Sequence, residues 1–414
     1  MMNASDLSIN DYTYDLPEEK IAYLPSQERG ASKLLVWQKI QIIDDKYLNI
    51  SDRLPKNSLI VFNNSKVIPA RLHFKKSTGA SIEIFCLEPL EGYDFNNRIG
   101  MKATCKWKCF VGGISKWKDE SLQKLGNING QEILLSATLI ERGSEAHLIE
   151  FAWDIAELNF IQILEVFGVM PLPPYIKRKA ELSDAERYQT VFAKANGSVA
   201  APTAALHFTD EILNSLRDRD IKPIFVTLHV GAGTFKPVKA EFMKDHEMHS
   251  EWIEVSLDGL KELLIDHNKA ITAVGTTSTR TLESIYWMGV KAFYDPEISI
   301  KDLAIKQWEV YELQEKSAMD RSNALTALKD WMIERNLNSL FIETQILIAP
   351  GYTFKMVDNL VTNFHQPQST LLLLIAAAIG ENWKLVYDHA LKNDYRFLSY
   401  GDGCLLEIDK KVTL

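Results

Sequence analysis

IKPIFVTLHV at 221–230 and AITAVG at 270–275 decide the fold class of this chain. Both read as buried strands that lead directly into loops or helices, the alternation that marks an α/β protein. Working back from them, SLIVFNNSKVIPARL (58–72) reads as another buried strand, a polar Asn-Asn-Ser turn and a second extended piece. Between about residues 70 and 150 the rhythm changes. SIEIFCL (81–87), KWKCFV (106–111), EILLSATLI (132–140) and AHLIEFAW (146–153) alternate apolar and polar positions and are separated by Gly and Asn, which predicts a small β-barrel or sandwich. The expected organisation is a large mixed α/β domain built from residues 1–69 and 154–414, with a barrel-like domain of residues 70–153 inserted into it. DLPEEKIAYLP (15–25) predicts a short helix capped by Asp15. Ser322–Asn336 predicts an amphipathic surface helix with Leu325, Leu328, Met332 and Ile333 on one side.

At 414 residues the chain is long enough for two or three domains, and 46% hydrophobic and 24% charged residues are ordinary for a soluble protein. The apolar run Leu371–Ile379 is too short to cross a bilayer. The opening MMNASDLSIND has neither a basic region nor an apolar core, so no export signal and no membrane partner are expected. Cys86, Cys105, Cys109 and Cys404 make neither a disulfide framework nor a zinc set; a reducing cytoplasm is the expected location. The net charge of −9 argues against nucleic acid, but its distribution does not. Lys66, Arg71, Lys75 and Lys76 form one acid-free cluster. Five lysines between Met101 and Lys118, interleaved with Trp107, Phe110 and Trp117, form another. Lys177, Arg178 and Lys179 follow Tyr175. Basic clusters with aromatic neighbours suit RNA.

Between Gly168 and Trp252 polar, small and proton-transferring residues gather at turns: GVMPLPPYIKR (168–178), RYQTVFAKANGSVAAPTAALHFT (187–209), TLHVGAGTFKPV (227–238) and HEMHSEW (246–252). Packing alone does not call for this density, and turns held by a scaffold are where catalysis concentrates, so an enzyme is expected. GAGTFK (231–236) fails the dinucleotide pattern because Lys236 stands in place of its last glycine. HEMH has its histidines three apart rather than four, so a metal role is not expected; His249 is the better functional candidate of the two. His73, His147, His246, His267 and His389 read as structural or surface residues. AVGTTSTRTLES (273–284) places a Thr/Ser run and Arg280 at a helix start, a cradle for a carboxylate or other anion. In TNFHQPQSTLLLLIAAAIG (362–380) Ser369 and Thr370 would cap a buried helix whose positive end faces Asn363, Phe364 and His365.

Taken in order, DLPEEKIAYLPSQERGASKLL, VFNNSKVIPARL, PLPPYIKR, ERYQTVFA, VAAPTAALHFT, TLHVGAGTFKPV, HEMHSEW, AVGTTSTRTLES, APGYTFKMVDNLVTNFHQPQSTLL and YRFLSYGDG resemble the S-adenosylmethionine:tRNA ribosyltransferase-isomerase family of queuosine biosynthesis, from about residue 11 to 406. The resemblance implies transfer and isomerisation of the ribosyl moiety of S-adenosylmethionine onto 7-aminomethyl-7-deazaguanine at the wobble position of tRNA. Epoxyqueuosine forms, and adenine and methionine leave. No cofactor or metal is implied, S-adenosylmethionine being a substrate. A monomer is the working expectation. An S-adenosylmethionine-dependent tRNA methyltransferase and a non-catalytic tRNA-binding protein are the rival readings.

The implied reaction moves several protons and needs no protein nucleophile, so turn-borne imidazoles suit it. His207, His229, His249 and His365 are the expected catalytic groups, with Glu251 orienting one of them or pairing with a cationic intermediate. Gly231, Gly233, Phe235, Thr276, Thr277 and Arg280 are expected to hold S-adenosylmethionine, Arg280 taking its carboxylate. Arg71, Tyr175, Lys177 and Arg178 are expected to meet tRNA. Two departures from the family pattern stand out. Gln368 occupies a position where a basic residue is common, and the stretch between Glu283 and Pro350 is long.

Overall fold

The computed structural model describes residues 4–90, 103–118, 120–144, 146–231 and 238–410. Among them, a nine-stranded sheet comprises β1 (Lys33–Gln38), β2 (Gln41–Lys46), β3 (Leu59–Asn63), β13 (Lys222–His229), β14 (Glu251–Ser256), β15 (Ile271–Val274), β16 (Ser339–Thr344), β17 (Asn359–Asn363) and β18 (Gly403–Glu407). A curled antiparallel sheet of seven comprises β5 (Arg71–Lys75), β6 (Ser81–Pro89), β7 (Thr104–Gly112), β8 (Leu122–Ile128), β9 (Gln131–Glu141), β10 (His147–Trp153) and β11 (Gly168–Val169). β4 (Ser65–Val67) pairs with β12 (Ala195–Ser198). The protein is thus mixed α/β, a large sheet joined to a half-barrel.

The order of the large sheet is β16-β14-β13-β3-β15-β17-β18-β1-β2, and β13, β3, β15 and β17 run parallel to one another. Every residue of β3, β15 and β17 is buried, because both faces of the sheet are covered. Side chains alternate between two cores: Leu59 and Val61 pack on one face, Ile60 and Phe62 on the other. From β3 the order runs to β13 on one side and to β15 on the other. Ligands of open α/β sheets bind where strand order diverges in this way, outside the carboxyl ends of the strands.

The half-barrel has its own core, centred on Phe74, Ile84, Trp107, Leu135 and Phe151. Helix α1 (Phe160–Phe167), started by a reciprocal Asn159–Gln162 capping box, packs into that same core, so the second core reaches beyond residue 153. At Gly168 the returning chain crosses the outgoing one. A Cβ there would lie 1.8 Å from the Pro69 carbonyl oxygen, so only glycine permits the crossing.

Two expectations need correction. Residues 15–25 form only one turn of 3-10 helix, Glu18–Lys20, after Pro17 and without a side-chain cap from Asp15. The reason is tertiary: Phe397 N–H donates to Lys20 O (2.8 Å) and Ala22 N–H to Phe397 O (3.2 Å), which draws the chain out straight. The helix expected at 322–336 spans Arg321–Glu334 and buries Leu325, Leu328 and Met332, but Ile333 is 48% exposed. The opposite face, with Asn323, Asp330 and Glu334, is exposed, as expected of an amphipathic surface helix. The helix lies on the long helix Gly275–Tyr294 so closely that a Cβ on Gly289 would meet the Ala324 carbonyl at 2.0 Å.

Candidate active site

A cavity of ≈ 410 Å³ opens at the carboxyl ends of the parallel strands, within the range of small-ligand sites. The ends of three strands supply its wall: Val230 after β13, Gly275 after β15, and Thr362–His365 from β17. Ala200–Ala204 and the stretches around Tyr175, Tyr188 and Leu398–Ser399 close it.

Two helices begin on this wall, α2 (Gly275–Tyr294) and α3 (Thr370–Ile379), so their positive ends face the cavity. Gly275 has φ +88, a left-handed turn that lets strand pass into helix without a spacer. The hydroxyl run after it divides by function. Ser278 and Thr279 donate back to the carbonyls of Val274 and Gly275, leaving the helix start without a side-chain cap. Thr276 and Thr277 face the cavity instead. Helix α3 is capped by Ser369, whose hydroxyl accepts from Leu372 N–H at 3.2 Å. Burial of Leu372–Ile379 fixes its direction.

His365 stands between these two helix starts. Its Nε2 lies 2.8 Å from Thr362 Oγ1. Its backbone is gripped from both sides: His365 N–H donates to Tyr387 OH at 3.0 Å, and Tyr14 OH donates to His365 O. The Tyr14 and Tyr387 rings meet at 5.0 Å. Burial pushes the imidazole pKa down to about 4, so at neutral pH it is uncharged and able to take up a proton. Thr203 Oγ1 donates to Asn363 Oδ1 at 2.8 Å, tying the loop after β12 to the end of β17. At the opposite end Tyr175 OH and Ser399 Oγ lie 2.5 Å apart.

Of the residues expected from sequence, the structure gathers Tyr175, Thr276, Thr277 and His365 on this one wall. Gly231 directly follows Val230, which lines it; Gly233 and Phe235 lie outside the described residues. His229, buried at the end of β13 with its pKa pushed down to about 4 by burial, is one residue removed from the wall. The others are placed elsewhere. His207 stacks on Tyr47 at 4.2 Å and borders a separate small pocket with Arg29 and Arg187. Thr203, at the start of the same 3-10 turn, reaches the cavity, and His207 lies about 8 Å further along it. His249 is exposed. Arg280 is buried one helical turn beyond Thr276, about 6 Å along the axis, where it pairs with Glu251 and donates to Ile346 O at 3.2 Å. Arg280 therefore holds a carboxylate of the protein, that of Glu251.

The expected RNA contacts divide in the same way. Arg178 makes two 2.7 Å bonds to the buried Asp184 and one to Tyr23 O, a half-buried structural clamp. Lys177 bonds Glu18 at 2.6 Å on the surface. Arg71 bonds Glu83 at 2.7 Å and lies over the Phe85 ring. Thr203, Thr362, Tyr188 and Ser399 line the cavity without having been singled out from sequence. For Thr362 the available signal was position, a small polar residue at the end of an otherwise apolar strand.

The site thus defines a mixed α/β protein with a ligand crevice, apolar in much of its lining but studded with hydroxyls and one imidazole, at the ends of its parallel strands. The chain belongs to the queuosine biosynthesis protein family, whose model matches residues 9–406. It is also similar to the crystal structure of an S-adenosylmethionine tRNA ribosyltransferase from Thermotoga maritima, at 27% identity over 95% of this chain and 99% of that one, with a TM-score of 0.44.

Proposed function

We propose that this protein moves the ribosyl portion of S-adenosylmethionine onto the aminomethyl nitrogen of 7-aminomethyl-7-deazaguanine in a tRNA anticodon. The ribose rearranges to an epoxycyclopentanediol, and adenine and methionine leave. Membership of the queuosine family over almost the whole chain supports this reading. What supports this crevice as the site is that two helix starts, one uncapped and one capped by Ser369, flank a neutral, half-buried histidine.

Each part has a use in that chemistry. The positive ends of α2 and α3, with the Thr276 and Thr277 hydroxyls, suit the carboxylate of the methionine portion. The sulfonium acidifies the adjacent C5′ methylene, and the uncharged His365 can accept a proton displaced from it. The same imidazole, now protonated, can deliver that proton to a ring nitrogen of the departing adenine. Thr362 and the Tyr14–Tyr387 clamp hold it in orientation. S-adenosylmethionine enters as a substrate, with no further cofactor; a monomeric, cytoplasmic protein belongs to the same proposal.

Product analysis tests it. Incubation with S-adenosylmethionine and tRNA carrying 7-aminomethyl-7-deazaguanine is expected to release adenine and methionine in equal amounts, and mass spectrometry of the digested tRNA should show epoxyqueuosine. Formation of S-adenosylhomocysteine with a methylated nucleoside, or intact substrates, would refute it.

A further inference from the structure

On the proposed function one base of the RNA enters the cavity, and the polymer that carries it must lie against the protein outside. Strand β5 offers a surface for it. Leu72 and Phe74 are buried, while Arg71, His73 and Lys75 point the other way, about 6.8 Å apart along the strand. Edge strand β11 pairs with β5, Val169 opposite Arg71. From there the chain runs through Pro174 and Tyr175, on the cavity wall, to Lys179. Lys179 lies four positions beyond Tyr175, a span of at most about 14 Å. Lys124 of β8, the far edge of the curled sheet, reaches the same seam, its Nζ donating to Phe167 O at 3.2 Å.

These cations share one field. The His73 pKa is lowered first by burial and then, against the opposing pull of Glu83, by Arg71, Lys124 and Lys179. Glu83 answers Arg71 at 2.7 Å and His73 at 3.8 Å. Lys75 and Lys179 are exposed. By contrast, the neighbouring Lys177 and Arg178 are matched to Glu18 and Asp184.

We propose that Arg71, His73 and Lys75 of β5, together with Lys124 and Lys179, form the surface that carries the phosphate backbone of the RNA whose base enters the cavity. This rests on the proposed function and assigns its RNA face. Residues from the half-barrel and from the segment beyond it both contribute, so the half-barrel serves as a backbone rest beside the catalytic crevice. His73 belongs to this surface rather than to a merely structural role.

The test uses Lys75→Glu/Lys179→Glu, two exposed positions outside the cavity, and a tRNA transcript titrated at several salt concentrations. Losing two phosphate contacts should lower the slope of log affinity against log salt by about 1.4–1.8 and weaken binding at least tenfold at low salt. S-adenosylmethionine affinity should stay unchanged. Lys261→Glu/Lys316→Glu, outside the half-barrel, should leave the slope at the wild-type value. An unchanged slope in the first variant, or an equal fall in both, overturns the assignment. Because binding is read without turnover, an RNA slope lost at 75 and 179 in a protein that transfers no ribose would sink the reaction and leave the surface. Transfer with an unchanged slope would do the reverse.

Discussion

Replacing His365 with alanine is expected to lower the single-turnover rate of adenine release by about 10²–10⁴-fold, the range for loss of a positioned acid or base. The affinity for S-adenosylmethionine should change much less, because the helix starts and hydroxyls that hold the donor remain. The pH dependence separates this from a structural effect. With its pKa pushed down to about 4 by burial, His365 stays neutral where an ordinary histidine would already be half protonated. The wild-type rate should therefore hold as the pH falls through 6 and decline only toward 4. Thr362→Val, which removes the partner 2.8 Å from Nε2, should cost rate without moving donor affinity. A His365→Ala protein with a near-wild-type rate would remove this residue from the chemistry.

Glu283 should be the most damaging position for stability. Its side chain is fully buried on α2 and receives four donors: Tyr352 OH at 2.7 Å, and the backbone N–H groups of Lys355, Met356 and Val357 at 2.9, 2.9 and 3.0 Å. Burial raises its pKa, while those hydrogen bonds pull the other way. The carboxylate thus pins the segment leading into β17, the strand that delivers Thr362, Asn363 and His365. Glu283→Ala would leave several buried donors unpaired, at roughly 1–3 kcal/mol each, and is expected to cost at least about 3 kcal/mol in denaturant unfolding. Glu283→Gln should recover little, since its NH₂ would confront two of the four donors. A wild-type unfolding midpoint in Glu283→Ala would show that this anchor carries no load.

The strands that place the site were readable from local pattern. IKPIFVTLHV and AITAVG appear as β13 and β15, and the alternating stretches of residues 81–153 appear in the half-barrel, because a buried strand writes its environment into consecutive residues. The helix starts at Gly275 and Ser369 were readable for the same reason. Partners distant in sequence were not. Arg280 looked like a ligand for a substrate carboxylate because Glu251 lies 29 positions away and comes alongside only when β14 pairs with β13. His207 looked equivalent to His365, yet a few residues of 3-10 turn carry it past the cavity to Tyr47. Glu283 gave no signal at all: its four donors come from a segment about seventy positions on, which only the fold brings to it. Sequence disclosed residue types suited to the chemistry; which of them converge is a property of strand order.

The central claim is that the donor occupies the crevice at the ends of β13, β15 and β17. A crystal structure of the protein soaked with S-adenosylmethionine tests it most directly. The account predicts the methionine carboxylate against the first turns of α2 and α3, with Thr276 and Thr277 in contact and His365 facing the ribose. Donor bound beside Arg29 and His207, or anywhere that leaves Gly275–Thr277 and His365 untouched, would contradict it.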